Sequence, residues 1–312
     1  PDRIAQRQPD ETRRYKMANG RLARFHQPDP LEHEEYLVIA DLDGTQPVSR
    51  IYLASPVHRD DLLKHFSDLL QRNECITWNE STLSVLASRH LRLGELILEE
   101  TRLHQPDPES VVAALLQGIR SQGISALPWS KDQRNWQSRV QFLHRVMGTA
   151  PPWPDVAEQS LLDTLETWLG PYLDNVFSFS QLKRIDLNWP LQTILSAEQR
   201  RTLDILAPTH LPVPTGSRIA LDYESGDVPI LAVRLQELFG MTETPRVANG
   251  QVPVHIHLLS AARQPVQGKK DLKSFWKTRY AAVKKELKGR YPKHFWPDDP
   301  LQASPTRGVK KR

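Results

Sequence analysis

The stretch RRYKMANGRLARF, residues 13–25, contains two short strand-like runs on either side of Asn19-Gly20. Asn-Gly between such runs favours a type I′ turn, because both central residues of that turn must adopt positive φ angles. The stretch therefore predicts a tight antiparallel hairpin near the start of the chain.

Further strand patterns surround one amphipathic helix within residues 1–104. The helix is predicted at about 59–72, and its apolar side holds Leu62, Leu63, Phe66, Leu69 and Leu70. Strands interrupted by a single helix are typical of a small OB-like barrel, while a plain β-sandwich fits the pattern equally well. The strand candidates are 35–41, 50–55, 75–79, 83–91 and 95–100.

Residues 105–206 have the periodicity and the capping signals of helices. Asp107-Pro108 supplies an N-cap and a first-turn proline for one helix. The loop APPWPD, residues 150–155, is predicted to be a hinge or a domain boundary. Two further helices open with capping boxes, at Ser130 with Gln133 and at Ser196 with Gln199.

Residues 207–312 return to mixed structure. Strands are predicted at 217–223 and 252–259, a strand followed by a helix at 228–240, and a second hairpin turn at Asn249-Gly250. The helix at 271–289 has the clearest pattern, with Asp271 as its cap and Gly289 at its end. The predicted fold is α+β: an OB-like barrel over 1–104, a helical segment over 105–206 and a mixed α/β extension over 207–312.

Charge is distributed unevenly along the 312 residues. The formal net charge is +4, but residues 261–312 hold 15 basic and 4 acidic residues, a net of +11, and the remainder has a net of −7. A basic block at one end is typical of polyanion binding, although a solvated tail would have the same composition. The single cysteine, Cys75, excludes an internal disulfide and indicates a reducing compartment, so we expect a cytoplasmic location without membrane attachment. The first residue is Pro1 and not Met, so we expect a piece of a longer polypeptide.

The helix at 271–289 combines an apolar stripe with a lysine stripe. Apolar residues recur at spacings of three and four on one face, and Lys273, Lys277, Lys284 and Lys288 recur on another. Such a lysine stripe is suited to nucleic-acid phosphates while the apolar side packs on the domain. The lysines are therefore candidate nucleic-acid ligands.

The strap GRYPKHFWPDDP, residues 289–300, extends this surface with rings, cations and prolines. Its candidate ligands are Arg290, Tyr291, Lys293 and Trp296, because aromatic rings can stack on unpaired bases. The alternative interpretation is structural, since aromatic residues beside prolines also clasp a chain onto its domain. The sequence leaves both open.

Three other patterns indicate enzymatic or metal chemistry less specifically. YLVIADLDGT, residues 36–45, resembles the opening motif of haloacid-dehalogenase-type phosphatases, in which Asp41 would be the nucleophile and Asp43 the general acid or base. That assignment needs downstream motifs and alternating parallel strands that are not evident here. His255 and His257 share one strand face without a third metal ligand, and Gly268-Lys269-Lys270 lacks the rest of a P-loop.

The chain resembles the C-terminal half of the HrpB type of bacterial DEAH/RHA ATP-dependent RNA helicases. The resemblance is most specific over 211–300, and the strap is close to a family signature. It implies an OB-like fold and a family-specific C-terminal extension that follow an upstream helicase core. It also implies that the barrel lies near the path of the RNA, and the candidate contacts are Arg3, Arg7, Arg14, Lys16, Arg21 and Arg24. The alternative is that these residues are ordinary surface charges.

The helicase motor motifs are absent from this sequence. It contains neither Gly-x-x-x-x-Gly-Lys-Thr nor Asp-Glu-x-His, so ATP and Mg²⁺ would belong to the core, and we expect neither a cofactor nor ATPase activity in this segment. We expect an accessory region that binds single-stranded or structured RNA and regulates the core. The alternative is a protein-docking module that clamps the core or recruits a partner, for which the apolar face of the helix at 271–289 is the motivation.

Overall fold

A computed structural model describes the chain except for residues 10, 45–46, 149–151, 261–264, 270 and 308–312, and except for the side chains of 265–269. The described chain divides into two compact units: Pro1–Ser121 with Leu173–Gln181, and Gln122–Tyr172 with Leu182–Arg312. Compactness alone does not define domains, so the division at 104 and 206 stays a prediction. None of the described helices is both long and apolar enough to cross a bilayer.

The first unit begins with a closed five-stranded barrel. Its strands are β1 (Ile4–Arg7), β2 (Arg14–Met17), β3 (Leu22–Arg24), β4 (Tyr36–Leu42) and β5 (Val48–Pro56). They follow the order β1-β2-β3-β5-β4, with β4 also paired to β1 and with β3 parallel to β5. This confirms the OB-like barrel and excludes the sandwich.

Alternation along the barrel strands places the barrel core. Tyr15, Ala23, Leu37 and Ile39 are among the residues that turn inward, and each is almost fully buried. The Tyr15 hydroxyl donates to backbone carbonyls of Leu31 and Glu34 at 2.8 and 3.0 Å, and burial raises the pKa of this hydroxyl to about 12. The predicted hairpin at Asn19-Gly20 connects β2 to β3, but its turn is not the predicted type I′, because Gly20 has a φ of 84° whereas Asn19 does not have a positive φ.

A separate antiparallel sheet follows the barrel. Helix α1 (Arg59–His65) and a 3₁₀ turn (Ser67–Leu69) lead into β6 (Leu70–Asn79), β7 (Ser84–Leu93) and β8 (Leu96–Arg102). The predicted helix at 59–72 is therefore too long, because residues 70–72 pair with Leu93, Arg92 and Leu91 of β7. These ladder bonds override the helical periodicity of the local sequence.

Helix α2 (Pro108–Gln122) packs against this sheet through a glycine. Asp107 caps the helix by accepting from the Ser110 backbone N–H at 2.9 Å, as predicted. A Cβ atom added at Gly118 would lie 2.3 Å from the ring of Trp78. Only glycine therefore permits this approach of helix to sheet.

The second unit contains the remaining helices that precede its sheet. They are α3 (Lys131–Val146), α4 (Glu158–Asp163), α5 (Leu165–Trp168), α7 (Asn188–Thr193) and α8 (Ala197–Leu206), while α6 (Phe179–Leu182) crosses the boundary of the two units. Both predicted capping boxes are confirmed, at the starts of α3 and α8. The buried Arg139 of α3 donates from Nε to the Ala207 carbonyl at 2.6 Å, which ties α3 to the end of α8.

A mixed five-stranded sheet forms the centre of the last third. Its order is β15-β14-β11-β10-β9, from β9 (His210–Pro212), β10 (Arg218–Asp222), β11 (Ile230–Arg234), β14 (His255–Leu259) and β15 (Pro265–Lys269). Strand β11 runs parallel to β14 and antiparallel to β10. A small hairpin of β12 (Arg246–Val247) and β13 (Val252–Pro253) turns at Asn249-Gly250, as predicted.

The chain then forms two consecutive helices, α9 (Leu272–Thr278) and α10 (Tyr280–Arg290). The predicted single helix at 271–289 is therefore wrong in two details. Arg279, with φ of −121° and ψ of −23°, interrupts it, and Gly289 lies inside α10 and does not end it. The break falls between Trp276 and Tyr280, whose rings both pack on Phe239 at centroid distances of 6.2 and 6.3 Å.

Candidate nucleic-acid interface

Buried side chains anchor α9 and α10 to the second unit. Leu272, Trp276, Tyr280, Val283 and Leu287 are all buried, which confirms the predicted apolar face. Asp271 caps α9 by accepting from the backbone N–H groups of residues 273 and 274 at 3.0 and 3.2 Å. These contacts fix α9 and α10 on the second unit, so their opposite face is exposed to solvent in a defined orientation.

The four predicted lysines differ in their surroundings. Lys277 and Lys288 are exposed, and among the described residues no carboxylate lies within ion-pair distance of either. Lys273 is exposed but lies 3.8 Å from Glu243. Lys284 is largely covered, with 18% of its side chain exposed, and its Nζ lies 2.5 Å from Oδ1 of Asp298.

The Lys284–Asp298 ion pair gives a structural role to Lys284, one of the predicted nucleic-acid ligands. The hydrogen bond from Lys284 lowers the pKa of the Asp298 carboxyl, because it stabilises the ionised form. A nucleic-acid phosphate would have to displace this carboxylate to reach Lys284. Lys284 is therefore a weaker candidate than Lys277 and Lys288.

The beginning of the strap carries further exposed cations. Arg290 and Lys293 are exposed and, within the described part of the chain, have no carboxylate partner at ion-pair distance. Arg279 and Lys285 are also exposed, although the sequence pattern did not select them. The helical break at Arg279 changes which residues face solvent, and local periodicity could not reveal that break.

The aromatic residues of the strap are oriented inward. Trp296 is only 9% exposed, and its Nε1 donates to the Tyr291 carbonyl at 3.0 Å. The Tyr280 hydroxyl, whose pKa burial raises, donates to the Pro297 carbonyl at 2.8 Å. Tyr291 is half-buried and contacts the ring of His294. These contacts favour the clasp interpretation for Trp296, since a buried ring offers no face to a base.

The barrel of the first unit carries a row of arginines. Arg14 lies opposite Arg24 across β2 and β3, and Arg24 lies opposite Arg50 across β3 and β5. The neighbouring residues along each strand are buried, so the row faces outward. Arg50 escaped sequence reasoning, because only strand register brings it beside the other two.

The other predicted barrel contacts are dispersed. Arg3 Nη1 donates to the Ala40 carbonyl at 3.3 Å, and Lys16 Nζ lies 3.6 Å from Glu95. Arg7 and Arg21 are exposed. Arg14 also pairs with Glu11, which neutralises part of the arginine row.

The phosphatase interpretation of Asp41 and Asp43 is wrong. Strand β4, which carries Asp41, is antiparallel to both of its neighbours in a closed barrel. Phosphatases of that type need parallel strands whose carboxyl ends gather the catalytic groups. Asp43 instead follows β4 and donates its backbone N–H to the Arg50 carbonyl at 3.0 Å.

The paired histidines of β14 lie on one strand face, as the alternation predicts. The rings of His255 and His257 are 4.8 Å apart in an edge-to-face arrangement. Within the described residues, no group of three or more His, Cys, Asp or Glu side chains is close enough to hold a metal ion. Lys270 of the Gly268-Lys269-Lys270 pattern lies outside the described residues, as do parts of the predicted hinge and of the basic tail.

Comparison with known proteins shows similarity to one group of helicases. Residues 168–300 match the family model described as the C-terminal region of ATP-dependent helicases of the HrpB type. The chain is also 39% identical to the ATP-dependent RNA helicase HrpB of Escherichia coli (strain K12), over 99% of this chain and 38% of that protein.

Two solved structures show the same relationship. A crystal structure of the E. coli DExH-box NTPase HrpB matches with a TM-score of 0.63 and 39% identity, covering 98% of this chain and 38% of that one. A crystal structure of the E. coli DEAH/RHA helicase HrpB matches with a TM-score of 0.55 and 35% identity, covering 95% and 37%. The HrpB-type resemblance and the mixed fold with an N-terminal barrel are thus confirmed. The chain corresponds to a C-terminal part of an HrpB-type helicase. It spans about two fifths of the length of the E. coli relative.

Proposed function

We propose that this HrpB-type C-terminal region binds single-stranded or structured RNA and regulates a helicase core that belongs to the same parent protein. One observation carries the proposal. Lys277, Lys288, Arg290 and Lys293 are exposed without described carboxylate partners, on or beside helices whose opposite face is buried. When such cations bind phosphates, the counterions released from the RNA favour binding. Because the cations stand on a rigid support, binding does not have to order a mobile segment.

The chemistry of ATP hydrolysis is assigned to the core. This sequence has no P-loop and no Asp-Glu-x-His motif, so ATP and Mg²⁺ would bind outside it. The proposed contribution of this region is to hold RNA near the motor in the cytoplasm. The match of residues 168–300 to a helicase C-terminal family model supports this proposal.

A salt titration of the full 312-residue chain with single-stranded RNA tests the binding. Four phosphate contacts predict a slope near −3 for log affinity against log salt concentration. Replacing Lys277, Lys288 and Lys293 by Glu should abolish measurable binding at low salt, without changing the unfolding midpoint, because all three side chains are exposed.

A matched variant controls for total charge. Lys131, Lys183 and Arg184 are exposed residues of the same unit, so replacing them by Glu makes the same change in net charge elsewhere. This control should reduce affinity far less than the helix variant. Equal losses in the two variants, or no binding of wild-type protein at low salt, would disprove the proposal.

Docking to the helicase core is a second candidate function, favoured by a different surface. The apolar face of α9 and α10 is buried within its own unit and is not available to a partner. Trp189 and Ile205 remain 72% and 76% exposed, so these two apolar side chains are available to a partner. If Trp189→Ser weakens association with the core while RNA affinity is unchanged, docking through Trp189 is supported.

A further inference from the structure

One face of the five-stranded sheet has a floor of small residues. Ala220 of β10 lies opposite His210 of β9, and Ala232 of β11 lies opposite His257 of β14. Leu221 pairs with Leu231 and Asp222 with Ile230, and the same antiparallel register places Ala220 opposite Ala232. Both alanines are exposed, whereas Leu221, Leu231 and Val233 are buried toward the other side. The floor belongs to a concave pocket of about 490 Å³.

Three arginines from distant parts of the chain surround this pocket. Arg218 begins β10, Arg234 ends β11, and Arg307 follows the strap. The two strand arginines occupy the same face as the alanines, since residues two apart on a strand point to the same side. His210 completes the rim.

Two of these guanidinium groups are held in place by hydrogen bonds. Arg234 Nη1 donates to the Arg307 carbonyl at 2.7 Å, and Arg307 Nη2 donates to the Thr215 carbonyl at 3.1 Å. Arg218 is exposed, and among the described residues no carboxylate lies within 4 Å of it. The arrangement is therefore preorganised, with one arginine unpaired.

One carboxylate lines the pocket and neutralises only part of its charge. Glu237, with 7% of its side chain exposed, places Oε1 3.4 Å from Arg234 Nε and accepts from Thr215 Oγ1 at 3.3 Å. Three guanidinium groups against one carboxylate leave an excess of two positive charges. Guanidinium groups suit phosphate oxygens because their planar donors can bind them in pairs.

We propose that this pocket binds a phosphodiester group of single-stranded RNA, with the attached ribose or base lying on Ala220 and Ala232. The volume falls in the range of small-ligand pockets and is large enough for one nucleotide. The alanine floor offers an apolar surface without side chains that would block a planar ring. This site is separate from the cations of α9 and α10, and the inference rests on the proposed RNA-binding function.

Arg218→Gln in the full chain tests the site, because Arg218 has no described structural partner whose loss would unfold the protein. The variant should bind single-stranded RNA about tenfold more weakly and should lower the salt slope by about 0.7, the contribution of one phosphate on a single strand. Arg218→Lys should restore part of the affinity. Arg184→Gln, an exposed arginine of the same unit, is the matched control and should have no effect.

The outcomes separate this inference from the proposed function. If wild-type protein binds RNA and Arg218→Gln binds as tightly with the same slope, the pocket inference fails and the proposed function stands. If wild-type protein does not bind RNA, both fail.

Hydrogen exchange at residues 218–220 and 232–234 identifies the ligand. Protection by single-stranded RNA supports the proposal. Protection by uridine monophosphate at equal concentration and to an equal degree would assign the pocket to free nucleotides and overturn the choice of an RNA strand. Protection by poly-glutamate but not by RNA would assign an acidic peptide and overturn it as well.

Discussion

Lys284 Nζ lies 2.5 Å from Asp298 Oδ1, so an ion pair joins α10 to the strap across 14 residues of chain. The lysine is mostly covered, while the aspartate is fully exposed. Asp298 of the strap thus supplies the negative charge that neutralises Lys284 of the preceding helix α10. The cationic surface proposed for RNA is smaller by one lysine than the sequence suggests.

Removing that counter-charge should strengthen RNA binding. Asp298→Asn deletes one negative charge and releases Lys284, so we expect about fivefold tighter binding of single-stranded RNA at 0.1 M salt and a salt slope steeper by about 0.7. Filter binding over a salt series measures both. Asp299→Asn is the control: the Asp299 carboxylate accepts a hydrogen bond from the Leu301 N–H and not from a lysine. The salt slope of RNA binding by this variant should therefore equal that of the wild type. Identical slopes for the two variants would contradict the role assigned to Lys284.

The buried Trp296 should matter for stability and not for RNA contact. Trp296→Ala removes a ring that is 9% exposed, and we expect a loss of about 3 kcal/mol in the free energy of unfolding of the second unit. RNA affinity of the folded variant at low temperature should equal that of the wild type. Trp189→Ala, at a position 72% exposed, should change the unfolding free energy by less than about 0.5 kcal/mol. If Trp296→Ala is as stable as the wild type but binds RNA poorly, the interpretation that Trp296 stacks on a base would be supported instead.

Gly118 should not tolerate a methyl group. The added Cβ would meet ring atoms of Trp78 at 2.3 Å, and the ring cannot move away as the end of a flexible chain could. Gly118→Ala should therefore destabilise α2 by about 2 kcal/mol, although alanine favours helices in isolation. Hydrogen exchange of α2 amides measures the change, with the exposed Gln117→Ala on the same helix as control. Unchanged protection of α2 would show that the sheet adjusts to the added methyl.

Asp155 should contribute to the acid sensitivity of the second unit. The Ser160 hydroxyl and the Ala157 N–H donate to this carboxylate at 2.6 and 3.0 Å and lower the pKa of Asp155. A lowered folded-state pKa gives stability that is present above the unfolded-state pKa of about 3.9 and is lost as pH falls through the folded-state value. Urea midpoints of Asp155→Asn should therefore depend less on pH below about 4 than those of the wild type. Parallel curves for both proteins would show that Asp155 does not contribute.

Local chemistry could be predicted where a few neighbouring residues decide the structure. The caps at Asp107 and Ser130 depend on side chains within four positions, and each forms as expected. The hairpin at Asn19-Gly20 also forms, but without the predicted type I′ turn, because Gly20 has a positive φ angle and Asn19 does not. Residues 70–72 were predicted wrongly, because their helical periodicity loses to ladder bonds with a strand about 20 residues away. Sequence shows the periodicity but not the competing partner.

The pocket on the sheet illustrates what sequence could not provide. Arg234 and Arg307 are 73 residues apart, and the parallel pairing of β11 with β14 and the path of the strap bring the rim together. No spacing rule connects these positions. The lysines of α9 and α10 were visible as a pattern, but the partner of Lys284 and the break at Arg279 depend on packing.

The hydrogen bond between Arg234 and Arg307 also constrains the order in which parts of the protein can fold during synthesis. The Thr306 N–H donates to the Gln236 carbonyl at 3.0 Å, so the segment after β11 is completed by residues that the ribosome adds about 70 positions later. The barrel strands all lie within residues 4–56 and can pair while synthesis continues. During translation the barrel therefore matures early, and the rim of the sheet stays incomplete until residue 307 has emerged.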